Sequence, residues 1–390
     1  MLKKLNFFFE FFENNSLIPF YDSLNNKTND KIIYNEGVNE IKKLNKGICV
    51  CVVNMIPSYF DLKINNHNTP YRTFRVRYRT GYIIDLSPYS SVGQYLNSHM
   101  GSRHSKNILN RLKRLESCFN IKYKIYFGEI EQIEYRVLFE EFERMIRVRF
   151  EQRGEEHVGL KRWDFYKKNA YELILNKRAS LFVIYDDKKT IAISLSYHFD
   201  NILDSAITSY DIDYAKFGLG NIAVVQKLDW CFQNNYKRMD MRWGRLRYKK
   251  QWCNAIEEYK CDVIYNDLPI SQIMAFVVSK IIILKKFLLL HEILPLKVSF
   301  KFRDMHKAIG NINKDNGPAY KIEDLDQLPL NEELSALDFN AIEFQFLQNP
   351  VCNYQYDNLE HSRDINIYRV INEEMSYIIQ GKSKVQKLVF

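Results

Sequence analysis

The chain has 390 residues, 56 Lys and Arg against 47 Asp and Glu, a formal charge of +9, and 46% hydrophobic residues. That length suits two domains, and the composition excludes wholesale disorder and a collagen-like or linker-rich chain. Seven Cys without a C-x-x-C pair exclude a disulfide scaffold and fit a reducing compartment, and the eight His show no H-x-x-x-H or H-E-x-x-H spacing to support a metal site.

The first residues, MLKKLNFFFEFFENN, superficially look like an export signal. The apolar stretch is only Phe7 to Phe12, Glu10 interrupts it, and no small-residue cleavage site follows, so an amphipathic start is expected. Gly47 to Asn54 reads as a buried strand. Thr73 to Arg79 alternates Phe74, Val76 and Tyr78 with Arg75, Arg77 and Arg79, a strand with one basic face. From Val92 to about Phe119 the pattern is helical, with Ile108, Leu112, Leu115 and Phe119 on one face. A strand near Lys122 to Phe127 precedes helices at Glu131 to Glu151 and Trp163 to Asn176. Ser180 to Tyr185 and Thr190 to Phe199 form a hairpin around Asp186 to Lys189, and Leu203 to Tyr210 is a third strand. A helix over Asn221 to Asn234 and strands at Arg238 to Arg242 and Lys260 to Tyr265 complete an α+β unit.

Ile270 to Leu294 is the most apolar stretch, but Lys280, Lys285 and Lys286 break it short of a bilayer span. A packed helix is the expectation, with a basic interfacial helix on a membrane as the other reading. Gly310 to Pro318 reads as a linker, and an acidic stretch follows it. With no export signal and no span, the chain is expected in the cytoplasm, with room for peripheral contact at the inner face of the membrane. Basic residues cluster in Ser102 to Glu116 and in Arg242 to Lys250. Nucleic acid, anionic lipid and phosphate-bearing cofactors would all suit those patches.

The stretch with chemical content is Tyr210 to Trp252, which reads as strand end, glycine turn, helix, strand and basic loop. Gly218 and Gly220 flank Leu219 at a helix entry, where backbone N–H groups at the positive end of a helix can receive a diphosphate. A glycine loop without a ligand is the alternative. The element order is not the strand-first arrangement of a dinucleotide fold, and no G-K-[ST] follows the glycines.

Five motifs in order carry a family resemblance: Asn107 to Glu116, Arg149 to Gly154, Ile191 to Phe199, Tyr210 to Ala223 and Met239 to Trp252. From about Tyr95 to Trp252 the sequence resembles the GNAT acetyltransferase superfamily, specifically the CelD/BcsL-like cellulose-biosynthesis type related to FemABX peptidyltransferases. Where those relatives have Ser-Pro-Gly near the turn, this chain has Phe217-Gly218-Leu219-Gly220.

The resemblance implies an α+β GNAT fold in two tandem domains. A degenerate one would span 1–120 and an acyltransferase domain 121–309, with a linker and C-terminal extension over 310–390. It implies acetyl-CoA or another acyl-CoA as co-substrate, held at Phe217, Gly218, Leu219, Gly220 and Asn221. It also implies transfer to an amine acceptor, an amino sugar or a cell-surface polysaccharide precursor. Tyr248 and Lys249, with Trp252, match a motif whose lysine stabilises the oxyanion or leaving group; a surface lysine is the alternative. Asp240 and Asp211 are candidates to orient Arg242 or Lys249 or to take the amine proton, with a structural turn role as the alternative. His198, after Tyr197, is a packing histidine or a proton shuttle. Arg149 and Arg153 would hold an anionic acceptor or pair with Glu155 and Glu156. Two other functions compete: a FemABX-type transferase using aminoacyl-tRNA, with its basic segments facing RNA, and a non-catalytic GNAT-like binding protein.

Overall fold

A computed structural model of the chain describes residues 2–35, 49–65, 71–244, 246–290, 319–329, 334–338 and 341–390. The linker expected at 310–318 lies outside the described residues. In chain order the first strands are β1 (Leu2–Asn6), β2 (Tyr21–Asn26), β3 (Lys31–Tyr34), β4 (Val50–Ile56), β5 (Phe60–Ile64) and β6 (Tyr71–Asp85). Helices α1 (Val92–Met100) and α2 (Ser102–Cys118) follow, then β7 (Ile121–Tyr126), α3 (Gln132–Glu151) and α4 (Trp163–Leu175). The meander β8 (Ala179–Asp186), β9 (Lys189–Phe199) and β10 (Ile202–Tyr210) leads to α5 (Leu219–Gln233), β11 (Arg238–Trp243), α6 (Arg247–Trp252), β12 (Ala255–Asn266) and α7 (Pro269–Leu290). The last part holds β13 (Lys321–Leu325), β14 (Leu334–Ala336), α8 (Gln348–Asn358), β15 (Asn366–Val370), β16 (Ser376–Gln380) and β17 (Val385–Val389).

One sheet of nine strands, in the order β1-β4-β12-β6-β11-β10-β9-β8-β7, forms the frame. The division expected at 120/121 falls between α2 and β7, yet strands from both sides of it join here. β6 pairs antiparallel with both β11 and β12. The strands β8 and β9 are buried almost throughout, as strands covered on both faces must be. A large aromatic core fills one side of the sheet, from Phe7, Phe8, Phe11 and Phe12 through Phe60 to Phe139 and Phe142. The N-terminal phenylalanines form a short π-helical turn (Phe9–Glu13) that docks on the sheet, with the Phe8 ring 5.4 Å from Trp243. Each buried aromatic ring contributes roughly 2–3 kcal/mol of apolar transfer, so this segment is structural.

The helical pattern from Val92 to Phe119 is two helices. Gly101, at φ 75°, ends α1 and begins α2. Strands β13 to β17 form a separate five-stranded antiparallel sheet, in the order β13-β17-β16-β15-β14. Its helix α8 packs beside the turn that precedes α5, with the Tyr356 ring 5.1 Å from Phe217 and Lys216 paired to Asp357 at 2.7 Å. Helix α7 packs on the sheet through Ala275, Met274, Val278 and Ile282, while Ile273, Phe276, Val277 and Leu284 remain exposed. Among the described residues no helix is long and apolar enough to cross a membrane.

Candidate functional site

The sheet opens where β10 meets β11. These two strands run parallel and pair only over Ile202–Asp204 and Arg238–Asp240. Beyond that point β10 stays with β9 as far as Tyr210, while β11 follows β6 through a bulge between Asp240 and Trp243. The strands therefore diverge into a fork, with Asp204 and Asp240 in register at its root.

The bulge re-aims Arg242, which sits at φ 59°. Such a backbone costs about 1–3 kcal/mol and persists only where its surroundings hold it. Here the Arg242 amide donates to Asp240 Oδ1 at 2.6 Å, and its guanidinium donates to both Asp204 oxygens at 2.8 and 2.6 Å. Glu13 adds an ion pair to Arg242 at 3.0 Å and takes a hydrogen bond from Arg162 at 3.0 Å. Glu13 and Asp204 are fully buried. Burial raises the Glu13 pKa, opposed by the charges of Arg242 and Arg162. Tyr197 belongs to this cluster, with its ring 6.0 Å from the Arg242 guanidinium.

Asp240 is also fully buried and accepts from Tyr59 Oη at 2.8 Å and from Tyr259 Oη at 2.8 and 3.0 Å. Burial, and then the charge of Asp204, push its carboxyl up to about 7. Lys249, on the one-and-a-half-turn helix α6, is 7% exposed, and its Nζ donates to Trp243 O at 2.6 Å. It is not a solvated surface lysine. Burial lowers its ammonium to about 8, with Asp240 pulling the other way. Two groups that titrate near neutrality thus lie within electrostatic reach of one another at the fork, an arrangement that suits proton transfer.

The head of α5 borders the fork. Gly218 has φ 71° and ψ 45°, a left-handed conformation that favours glycine. Its amide donates to Ala215 O at 3.1 Å, and the Asn221 amide donates back to Gly218 O at 2.9 Å. The Leu219 and Gly220 amides, in the first turn of α5, have no protein acceptor among the described residues. Arg111 of α2 lies against the turn, its Nη1 3.0 Å from where a Cβ on Gly218 would stand. Free amides, a helix N-terminus and a guanidinium together favour an anion by about 1–2 kcal/mol or more. The Phe217 and Leu219 side chains point into the core, so only their backbone can serve a ligand. Asn221 Oδ1 accepts from Trp252 Nε1 at 3.0 Å, which ties the turn to α6 and Lys249.

The other sequence candidates divide. Asp211 does not orient Arg242 or Lys249. It pairs with Lys189 at 3.0 Å and caps the turn after β10 through the Asp213 amide, because the chain has already left the fork at that residue. His198 is enclosed by Phe127, Trp230 and Tyr236, with Nδ1 2.9 Å from Tyr236 Oη and Nε2 2.7 Å from Ser180 Oγ. Burial depresses it to about 3, so it stays neutral. Tyr248 is 43% exposed at the outer side of α6. Arg149 stacks on Tyr210 at 4.1 Å, and Arg153 lies close enough for the charge of Arg149 to lower its pKa, after burial. Neither arginine forms an ion pair with Glu155 or Glu156. Glu13, Tyr59, Tyr259 and Asp204 come from distant segments and follow no motif, so sequence reading missed them.

Residues 102–250 match the family model described as an acetyltransferase (GNAT) domain. The fold is α+β, with the sheet, fork and glycine turn of the GNAT fold. No curated protein gives a significant match to the chain. Among solved structures, FemX shares 10% identity at a TM-score of 0.43, over 62% of this chain and 77% of that one. L-PGS from Bacillus licheniformis shares 11% at a TM-score of 0.37, over 63% and 76%. A conserved protein of unknown function from Bacteroides thetaiotaomicron shares 9% at a TM-score of 0.38, over 58% and 72%.

Proposed function

We propose that this protein is an N-acyltransferase that takes its acyl group from acyl-CoA and passes it to an amine, an amino sugar or a surface-polysaccharide precursor. The observation that carries the reading is the fork, with free amides at its glycine turn and a buried ammonium at its root. The donor's diphosphate would lie on the Leu219 and Gly220 amides beside Arg111. Its thioester would then enter between the diverging strands β10 and β11. Holding donor and amine in one complex supplies much of the rate through proximity.

The amine nitrogen attacks the thioester carbonyl carbon, and negative charge develops on the carbonyl oxygen. Lys249 lies where an ammonium can meet that charge. As the C–N bond forms and the C–S bond breaks, the amine proton passes to the Asp240 carboxylate. Lys249, whose pKa of about 8 is close to that of an ordinary thiol, can return a proton to the departing sulfur. Tyr59 and Tyr259 hold the aspartate in place.

The test is Lys249→Ala, followed by thiol release and by calorimetric titration with CoA. Turnover should fall about 100–1000-fold while CoA affinity stays within about threefold. Near-normal turnover in the variant would remove Lys249 from the chemistry. A wild-type chain that ignores CoA esters but binds aminoacyl-tRNA would replace the donor.

A further inference from the structure

Arg149 ends helix α3, and Arg153 follows one turn later. Both are partly buried, and among the described residues neither has a carboxylate within ion-pair distance. Arg149 Nη1 reaches only the Thr208 carbonyl, at 3.4 Å, and its Nε–H is closed off from water without any acceptor. Arg153 lies over the Phe150 ring at 5.6 Å. His157 completes the group. Its Nδ1 accepts from the Gly159 amide at 3.1 Å, which leaves the other ring nitrogen to carry the proton as a donor. Burial, and then the charge of Arg149, lower His157 to about 4, so it stays neutral at physiological pH. The acids that share this stretch, Glu151, Glu155 and Glu156, pair with neither arginine. Of these, only Glu155 is felt electrostatically at Arg153, after burial, Arg149 and Tyr210.

Two neighbouring guanidiniums repel each other, and a buried N–H without a partner costs about 1–3 kcal/mol. Among the described residues no carboxylate pairs with either guanidinium, and Glu155 and the Tyr210 ring offset these costs only in part. An anion would offset both, and a planar fork of donors suits a carboxylate or a phosphate. The place is informative too. One edge of Tyr210 touches Gly220 of the donor turn, with Cε1 3.1 Å from where a Cβ would stand, and its face carries Arg149. The arginines are therefore set apart from the turn by that ring, and the turn has a guanidinium of its own in Arg111. Tyr248 of α6, next to Lys249, feels the charge of Arg149.

We infer that the acceptor carries an anionic group, a phosphate or a carboxylate, and that Arg149 and Arg153 bind it beside the fork. The assignment to the acceptor rests on the acyl-CoA reading of the turn; the anion site itself does not. Arg149, Arg153 and His157 Nε2–H grip the anion, Tyr210 holds Arg149 in position, and the amine is left directed toward Asp240 and Lys249.

The experiment uses the full chain and inorganic phosphate as probe. Phenylglyoxal labelling of Arg149 and Arg153 is followed by peptide mass spectrometry, with and without saturating CoA. Calorimetry on wild type, Arg153→Gln and Arg149→Lys runs in parallel. In the expected result, phosphate protects both arginines saturably, with CoA present or absent, and CoA alone leaves them reactive. Arg153→Gln weakens phosphate binding by about tenfold, Arg149→Lys by less, and neither moves CoA affinity more than about threefold. Phosphate that protects neither arginine, or that binds Arg153→Gln as well as wild type, overturns the site. Protection by CoA alone gives the arginines to the donor and overturns the acceptor assignment. If CoA does not bind at all but phosphate still protects, the donor reading fails and the anion site stands.

Discussion

Two groups of charges lie within the same domain and are treated in opposite ways. Around Arg242, every charge is answered: Asp204, Glu13 and Arg162 close on one another in the sheet's interior. Around Arg149, two like charges share a niche and, among the described residues, no carboxylate forms an ion pair with either, Glu155 acting on Arg153 only at a distance. The first group fastens the N-terminal aromatic turn to the bulge at the root of the fork. The second is left open at the domain's rim. Charges a protein pairs with one another belong to its framework, and charges it leaves unanswered in a partly buried niche await something from outside.

The largest effect should come from breaking the closed group. Arg242→Met leaves the buried Asp204 without its guanidinium and Glu13 with Arg162 alone, so a loss of about 3–5 kcal/mol is expected in urea unfolding. A change below 1 kcal/mol would mean that the ion pairs hold nothing together.

The next effect concerns the fork between the two groups. Asp240 takes its proton up near 7, and Lys249 loses its own near 8. The working form, carboxylate with ammonium, is favoured only between those values. Turnover should therefore be bell-shaped in pH, falling about tenfold per unit on either side, with apparent pKa values that belong to the pair. Asp240→Asn should erase the acid limb, and Lys249→Met the alkaline one. A flat profile from pH 6 to 9 would separate these groups from catalysis. The folded chain also holds a proton on Asp240 that the unfolded chain lacks between 3.8 and about 7. Its contribution to stability thus declines as pH rises through that window.

The smallest effect sharpens the contrast. Arg149→Gln removes a charge that repels Arg153 and is held only by the Tyr210 ring and the Thr208 carbonyl, so stability should stay within about 0.5–1 kcal/mol of wild type. A loss as large as that of Arg242→Met would make Arg149 part of the framework.

Sequence reading located the parts of this molecule that obey a short-range rule. The meander β8 to β10 and helices α3 to α5 follow apolar periods and turn residues, and their ends fall within about two residues of expectation. The break between α1 and α2 escaped because no apolar side chain stands between Met100 and Ile108 to show where one helical stripe ends and the next begins. The docked turn at Phe9–Glu13 escaped because five residues, three of them phenylalanine, have no period to read. The C-terminal sheet escaped because its strands are five residues or fewer in mixed surroundings. In the site, the glycine turn and Lys249 were legible as a motif in chain order. Their electrostatic setting was not: Tyr259 reaches Asp240 through the pairing of β12, β6 and β11, while Glu13 arrives with the docked N-terminal turn and Tyr59 from just before β5.

The ring of Tyr259 crosses β6 at Gly81, and a methyl group there would stand 2.5 Å from its Cζ. The hydroxyl that steadies Asp240 thus passes through a gap made by a missing side chain on β6, the strand next to the fork's arm β11. Descendants of this sequence can therefore change position 81 only by also changing position 259. Drift at a glycine without a side chain would retune the acidity of Asp240.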